Sequence, residues 1–122
     1  MSVKKYDLEN RFVEYACNIV EIIDALPNTK TGYYFAGQLI RSSNSPALNY
    51  GEAQAAESKK DFIHKLGLVL KELKECRTAL KIVLRMQMIK QVVKIKNISI
   101  ETEELIAIIA KSISTAKNNM NR

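Results

Sequence analysis

An all-α, antiparallel up-and-down four-helix bundle is the fold predicted by this 122-residue sequence, and three observations carry that expectation. First, apolar residues recur at alternating steps of three and four over long segments, which is the repeat of a helix face; a strand would need a step of two. Second, a composition of 47% apolar residues with four Gly, two Pro and no Trp suits a compact helical protein better than a disordered or all-β one. Third, a chain of this length can bury a core without metal or disulfide staples, so one domain over residues 1–122 is expected.

The first helix is placed at about residues 8–26. Asp7 can cap it, and Leu8, Phe12, Tyr15, Ile19, Ile22 and Leu26 then form one stripe that Ala16, Val20 and Ile23 widen. Glu9, Arg11, Glu14, Glu21 and Asp24 supply the wet side, and Pro27 with Asn28 ends the helix.

A loop from Pro27 to Gly32 leads to a second segment, about 33–57, in which small residues replace large apolar ones: Ala36, Gly37, Ser42, Ser43 and Ala47 are examples. Small side chains let another helix approach closely. Pro46 leaves two readings open, because it has no N–H to donate and its ring disfavours helical angles at Ser45. Either the chain breaks at Asn44 and Ser45 caps a new helix with Pro46 at its first position, or one helix runs through and is kinked at Pro46. In the second case Arg41, Ser45, Asn49 and Glu52 fall on one polar stripe.

The third helix, about 58–89, has the longest unbroken repeat and organises the rest. Ser58 followed by Asp61 reads as a capping box. Phe62, Leu66, Val69, Leu73, Cys76, Leu80 and Val83 make the main stripe, with Ile63, Leu70 and Leu84 beside it. So wide an apolar face can touch more than one neighbour. Residues 90–100 mix Val92, Val93 and Ile95 with Lys90, Lys94 and Lys96, and periodicity leaves them as either a helical extension or a basic connector. Ser99 or Thr102 then caps a last helix, about 101–117, with Glu101, Glu103 and Glu104 in its first turn. Its inward residues are Leu105, Ile106, Ile109, Ile113 and Ala116.

The formal charge of +6 is unevenly spread. Residues 59–96 hold eleven Lys and Arg against Asp61, Glu72 and Glu75, a net of +8, whereas the remainder holds eight basic and ten acidic residues, a net of −2. A concentrated basic surface attracts polyanions through phosphate contacts and counterion release; the alternative is a solvated face that keeps the protein soluble. Cys17 and Cys76 both lie in apolar helical patterns, have no partners at metal spacing, and are expected as buried free thiols. The stretch from Met1 to Asp7 has no apolar run of leader type, and no segment reaches membrane-spanning length, so a cytoplasmic location is expected.

Arg41-Ser42-Ser43-Asn44-Ser45, then Asn49 and Glu52, followed by Phe62-Ile63, Leu66, Lys71-Glu72 and Glu75, resembles the family of small four-helix-bundle proteins called 23S rRNA intervening-sequence proteins. That family includes the accessory variability determinant of diversity-generating retroelements. The resemblance runs from the first helix through the third, and it implies an antiparallel four-helix bundle assembled as a ring-shaped homopentamer. For the retroelement member it further implies a basic surface that binds nucleic acid and a reverse transcriptase. Arg41, Ser45, Asn49 and Glu52 keep the polar positions of the family pattern. Pro46, Tyr50-Gly51, Ala53 and Thr78-Ala79 depart from it.

No residue set has a catalytic pattern, so neither enzymatic activity nor a cofactor or metal is expected. His64, the single histidine, stands beside Lys60 and Lys65 without a nucleophile near it, and is read as a surface residue. Glu72 and Glu75 lack the Glu-x-x-His partners of a di-metal bundle site and are read as ion-pair partners of Lys71 and Lys74. Arg41, Ser45, Asn49 and Glu52 are expected to be partly buried and to form an Arg41–Glu52 or inter-helix network that fixes packing. Lys74, Arg77, Lys81 and Arg85 follow at steps of three, four and four on the outer side of the third helix, and Lys90, Lys94 and Lys96 extend the charge. Groups so spaced can follow a phosphate backbone, and in the absence of an RNA-recognition aromatic pair the binding of RNA or DNA is expected to carry little sequence preference. The rival reading is an adaptor that contacts only protein, such as a reverse transcriptase.

Overall fold

The computed structural model describes residues 7–120, so the stretch read above for a leader lies almost wholly outside the described residues. Four helices follow one another: α1 (Leu8–Ala25), α2 (Lys30–Gln54), α3 (Lys59–Arg85) and α4 (Val92–Met120). Short connections join each to the next, α2 and α4 both flank α3, and α1 closes against α2 and α4, the arrangement of an up-and-down bundle.

The first three helices start where a side chain accepts from a free N–H of the first turn. Asp7 accepts from the Asn10 N–H at 3.2 Å, and Ser58 accepts from the Asp61 N–H at 3.0 Å. The second helix begins three residues before the expected position because Thr29 caps it, its Oγ1 accepting from the Gly32 N–H at 3.0 Å. It then runs without interruption through Pro46, which overturns the reading of a break at Asn44. Tertiary packing outweighs the local cost of the proline, whose ring is buried.

The third helix ends at Arg85, four residues short of the expected end. Gln87 takes a left-handed conformation, with φ of 54°. The Gln87 N–H donates to the Leu84 carbonyl and the Met88 N–H to the Val83 carbonyl, both at 3.1 Å. That pair of bonds is a Schellman motif, here with Gln in place of the usual Gly. It turns Ile89 back into the core. Residues 92–100 are therefore the opening turns of α4, and Ser99 and Thr102 lie inside that helix instead of capping it. Glu101, Glu103 and Glu104 serve as inter-helix ion-pair partners.

The core is built from the predicted stripes. On α3, Leu66, Val69, Leu73, Cys76, Leu80 and Val83 are buried and Phe62 half-buried; on α1, Phe12, Tyr15, Ile19 and Ile22 are buried. Leu39 from α2 and Ile95, Ile98, Leu105 and Ile109 from α4 complete it. Burying each such side chain contributes about 1.5–3 kcal/mol. Cys76 is buried as expected, and burial pushes its thiol pKa up to about 12. Cys17 is exposed, contrary to expectation, because it falls outside the α1 stripe. Both thiols are free.

Candidate nucleic-acid interface

The basic residues singled out on and beside α3 differ in whether an acid from another helix meets them. Arg77 points towards α4, where its Nη1 lies 3.3 Å from Glu103 Oε1. Lys94, at the start of α4, pairs with Glu21 of α1. Arg11 of α1 is held by Glu101 at 2.6 Å and by Glu104 at 3.1 Å. Acidic residues of α1 and α4 thus neutralise Arg11, Arg77 and Lys94.

Lys74, Lys81 and Arg85 lie next to Arg77 round the helix, with Lys81 about 40° from it. At 100° per residue they fall within about 40° of each other on the helix, and all three are exposed. Among the described residues none of them is in an ion pair. Lys90, exposed in the connection to α4, is likewise unpaired among the described residues. Of the six cations selected from the sequence, four stand free and two are internally matched.

The polar stripe of α2 is only partly as expected. Ser45 and Asn49 do meet, with Asn49 Nδ2 donating to Ser45 Oγ at 2.8 Å. Arg41 and Glu52 do not: Arg41 is exposed and donates to Gln38 Oε1 at 2.8 Å, while Glu52 is exposed and pairs across to Lys65 of α3 at 2.6 Å. Eleven positions separate them on one helix, roughly 16 Å at 1.5 Å per residue, too far for contact. His64 is exposed, as expected.

Between α2 and α3 lies a small acidic knot. Ser42, fully buried, donates to Glu75 Oε1 at 3.3 Å. Glu72, one turn earlier, has a buried Oε1 without a hydrogen-bond partner. Burial first, then repulsion from Glu75, raises the Glu72 pKa, with Lys71 and Arg41 partly offsetting both. A carboxyl whose pKa is higher in the folded state than its usual 4.5 is favoured protonated by folding, so its ionisation costs stability as pH rises. Glu72→Gln is therefore expected to raise the melting temperature at pH 7. The gap to the wild type should close as pH falls below the ordinary carboxylate value, a comparison that thermal melts across a pH series would make. No group of three or more His, Cys, Asp or Glu that could hold a metal ion occurs among the described residues. No helix described is long and apolar enough to cross a membrane.

One feature beside the basic row had no counterpart in the sequence reading. At the N-terminal end of α2, Tyr33 and Tyr34 are 65% and 63% exposed. Tyr34 lines an open cleft that it shares with Lys74. The run Tyr33-Tyr34-Phe35 was the available signal: three consecutive aromatics cannot all face one core from a helix.

Residues 4–111 match the family model described as 23S rRNA-intervening sequence protein. Among solved structures, the chain is similar to the crystal structure of a protein of unknown function from the S23 ribosomal protein family of Bacteroides thetaiotaomicron. The two share 28% identity with a TM-score of 0.78, over 86% of this chain and 96% of that one. No curated protein matches this chain.

Proposed function

This chain belongs to the 23S rRNA-intervening sequence protein family, and we propose that it is a non-enzymatic, cytoplasmic, oligomeric nucleic-acid-binding or scaffold protein that holds phosphate backbones on its basic surface with little sequence preference. The observation that carries this reading is the uneven neutralisation described above. Arg77 and Lys94 are matched by acids, whereas Lys74, Lys81 and Arg85 form an exposed row with no ion pair among the described residues. A row of this kind attracts phosphates, and each contact made releases condensed counterions. Assembly into a ring, a pentamer by family resemblance, would repeat the row by symmetry and raise its effective affinity.

Binding to labelled single-stranded RNA and DNA across a salt series, with mass measured by light scattering on the same samples, tests this reading. Lys81→Glu combined with Arg85→Glu is expected to weaken binding about tenfold at low salt and to reduce the salt slope by roughly two. Equal binding by the double variant would reject the row. The second reading, an adaptor that contacts only protein such as a reverse transcriptase, has in its favour the exposed apolar side chains of Val13, Val20, Ile40 and Leu48. A stable oligomer that binds neither nucleic acid at low salt would favour it.

A further inference from the structure

The antiparallel crossing of α2 and α3 sets the start of α2 against the end of α3, and the cleft between them is walled by Tyr34 and Gln38 on one side and by Lys74 and Thr78 on the other. Phe35, Ala79 and Ile82 add an apolar lining. Its volume of about 580 Å³ is within the range of ligand clefts. We propose that this cleft is a stacking site for unpaired bases of a single-stranded nucleic acid, with Tyr34 as the platform. The proposal rests on the phosphate-binding reading above and adds to it what the bases do.

Three observations converge on that occupant. The first is the state of the tyrosine ring. Phe35 meets it edge to face, with centroids 5.1 Å apart and planes at 89°, a favourable geometry for an aromatic pair. In a T-shaped pair only one ring has a face covered, so Tyr34 keeps at least one face open, and the residue is 63% exposed. An aromatic face open to solvent is what a nucleobase needs for stacking.

The second is the position of the charge. Lys74 belongs both to the cleft wall and to the exposed row that continues through Lys81 and Arg85. A strand whose phosphates follow the row therefore passes along the rim of the cleft, with its bases free to turn inward. The third is the position of the opposite charge. Glu75 also lines the cleft, with Oε1 held by Ser42. A carboxylate there repels phosphates from the cleft and leaves them on the rim, while tolerating bases, whose exocyclic amines can donate to it. Apolar lining with an aromatic wall, a cation at the rim and an acid within suit a base-bearing strand better than a free anion. A duplex, with its bases already paired and stacked, offers nothing to Tyr34.

The experiment compares the full-length protein on three labelled probes of equal charge: a single strand, the same sugar-phosphate strand without bases, and a duplex. The wild type is expected to bind the base-bearing strand about tenfold more tightly than the base-free one. Tyr34→Ala should erase that difference while leaving the salt slope unchanged, and Tyr34→Phe should keep it. Equal affinity of the wild type for strands with and without bases, or a difference that survives Tyr34→Ala, would overturn the stacking site while the phosphate row stands. Failure of the wild type to bind any probe at low salt would overturn both. A lower oligomer mass for Tyr34→Ala would mark the ring as a contact between copies and would also overturn the proposal.

Discussion

Gly32→Ala is expected to destabilise the protein by about 2–4 kcal/mol, although alanine is the better helix former by about 1 kcal/mol. The reason is steric. Gly32 is buried in the first turn of α2, directly against the loop that reverses the chain after α1. A Cβ at this position would sit 1.9 Å from the Pro27 carbonyl oxygen and 3.0 Å from its carbon. These are backbone atoms, so no rotamer change relieves the overlap. Either Pro27 moves and drags the end of α1 with it, or the first turn of α2 unwinds and the Thr29 cap is lost, a bond that by itself contributes about 1 kcal/mol.

An internal control has the opposite sign. Gly37 lies one and a half turns further along α2, where an added Cβ would meet nothing within 4 Å. Gly37→Ala should stabilise the helix by about 0.5–1 kcal/mol. Thermal melts of both variants followed by far-UV circular dichroism, at roughly 3–5 °C per kcal/mol for a chain of this size, would separate the two effects. A Gly32→Ala variant as stable as Gly37→Ala would show that the close approach to Pro27 does not exist.

Which features were legible in the sequence follows from how local their causes are. The α1 and α3 stripes were readable because an unbroken 3.6-residue repeat leaves few alternatives, and Asp7 and Ser58 cap as their position suggests. The end of α3 was not readable. Gln87 adopts a conformation that usually signals itself through Gly, so nothing marked the stop and the start of α4 was placed nine residues late. The basic row was visible as spacing, but which of its members stand free depends on Glu21 and Glu103 arriving from other helices. Arg41 and Glu52 show the converse error: a shared helical stripe implied contact between side chains that find other partners.

Thr102 is the most informative of these misreadings, because a threonine that caps and a threonine buried in mid-helix look alike in a sequence. Here its side chain is fully buried, and its hydroxyl donates to the Ile98 carbonyl at 2.8 Å. That uses its single proton, so in the 2.7 Å contact with Tyr15 the tyrosine hydroxyl must be the donor. Burial raises the Tyr15 pKa, which keeps the ring neutral and able to donate at any ordinary pH. Removing the acceptor should therefore cost more than removing the donor. Thr102→Val leaves a buried tyrosine proton with no acceptor in this pair and is expected to cost about 2–3 kcal/mol; Tyr15→Phe leaves Thr102 bonded to Ile98 and should cost about 1 kcal/mol. With both changes made no unmatched hydroxyl remains, so the double variant should be more stable than the sum of the single effects predicts. Urea unfolding of the three variants would measure that coupling. Strict additivity would mean that the hydroxyls do not interact, and that α1 is held to α4 by apolar contact and by the Arg11 and Glu21–Lys94 ion pairs.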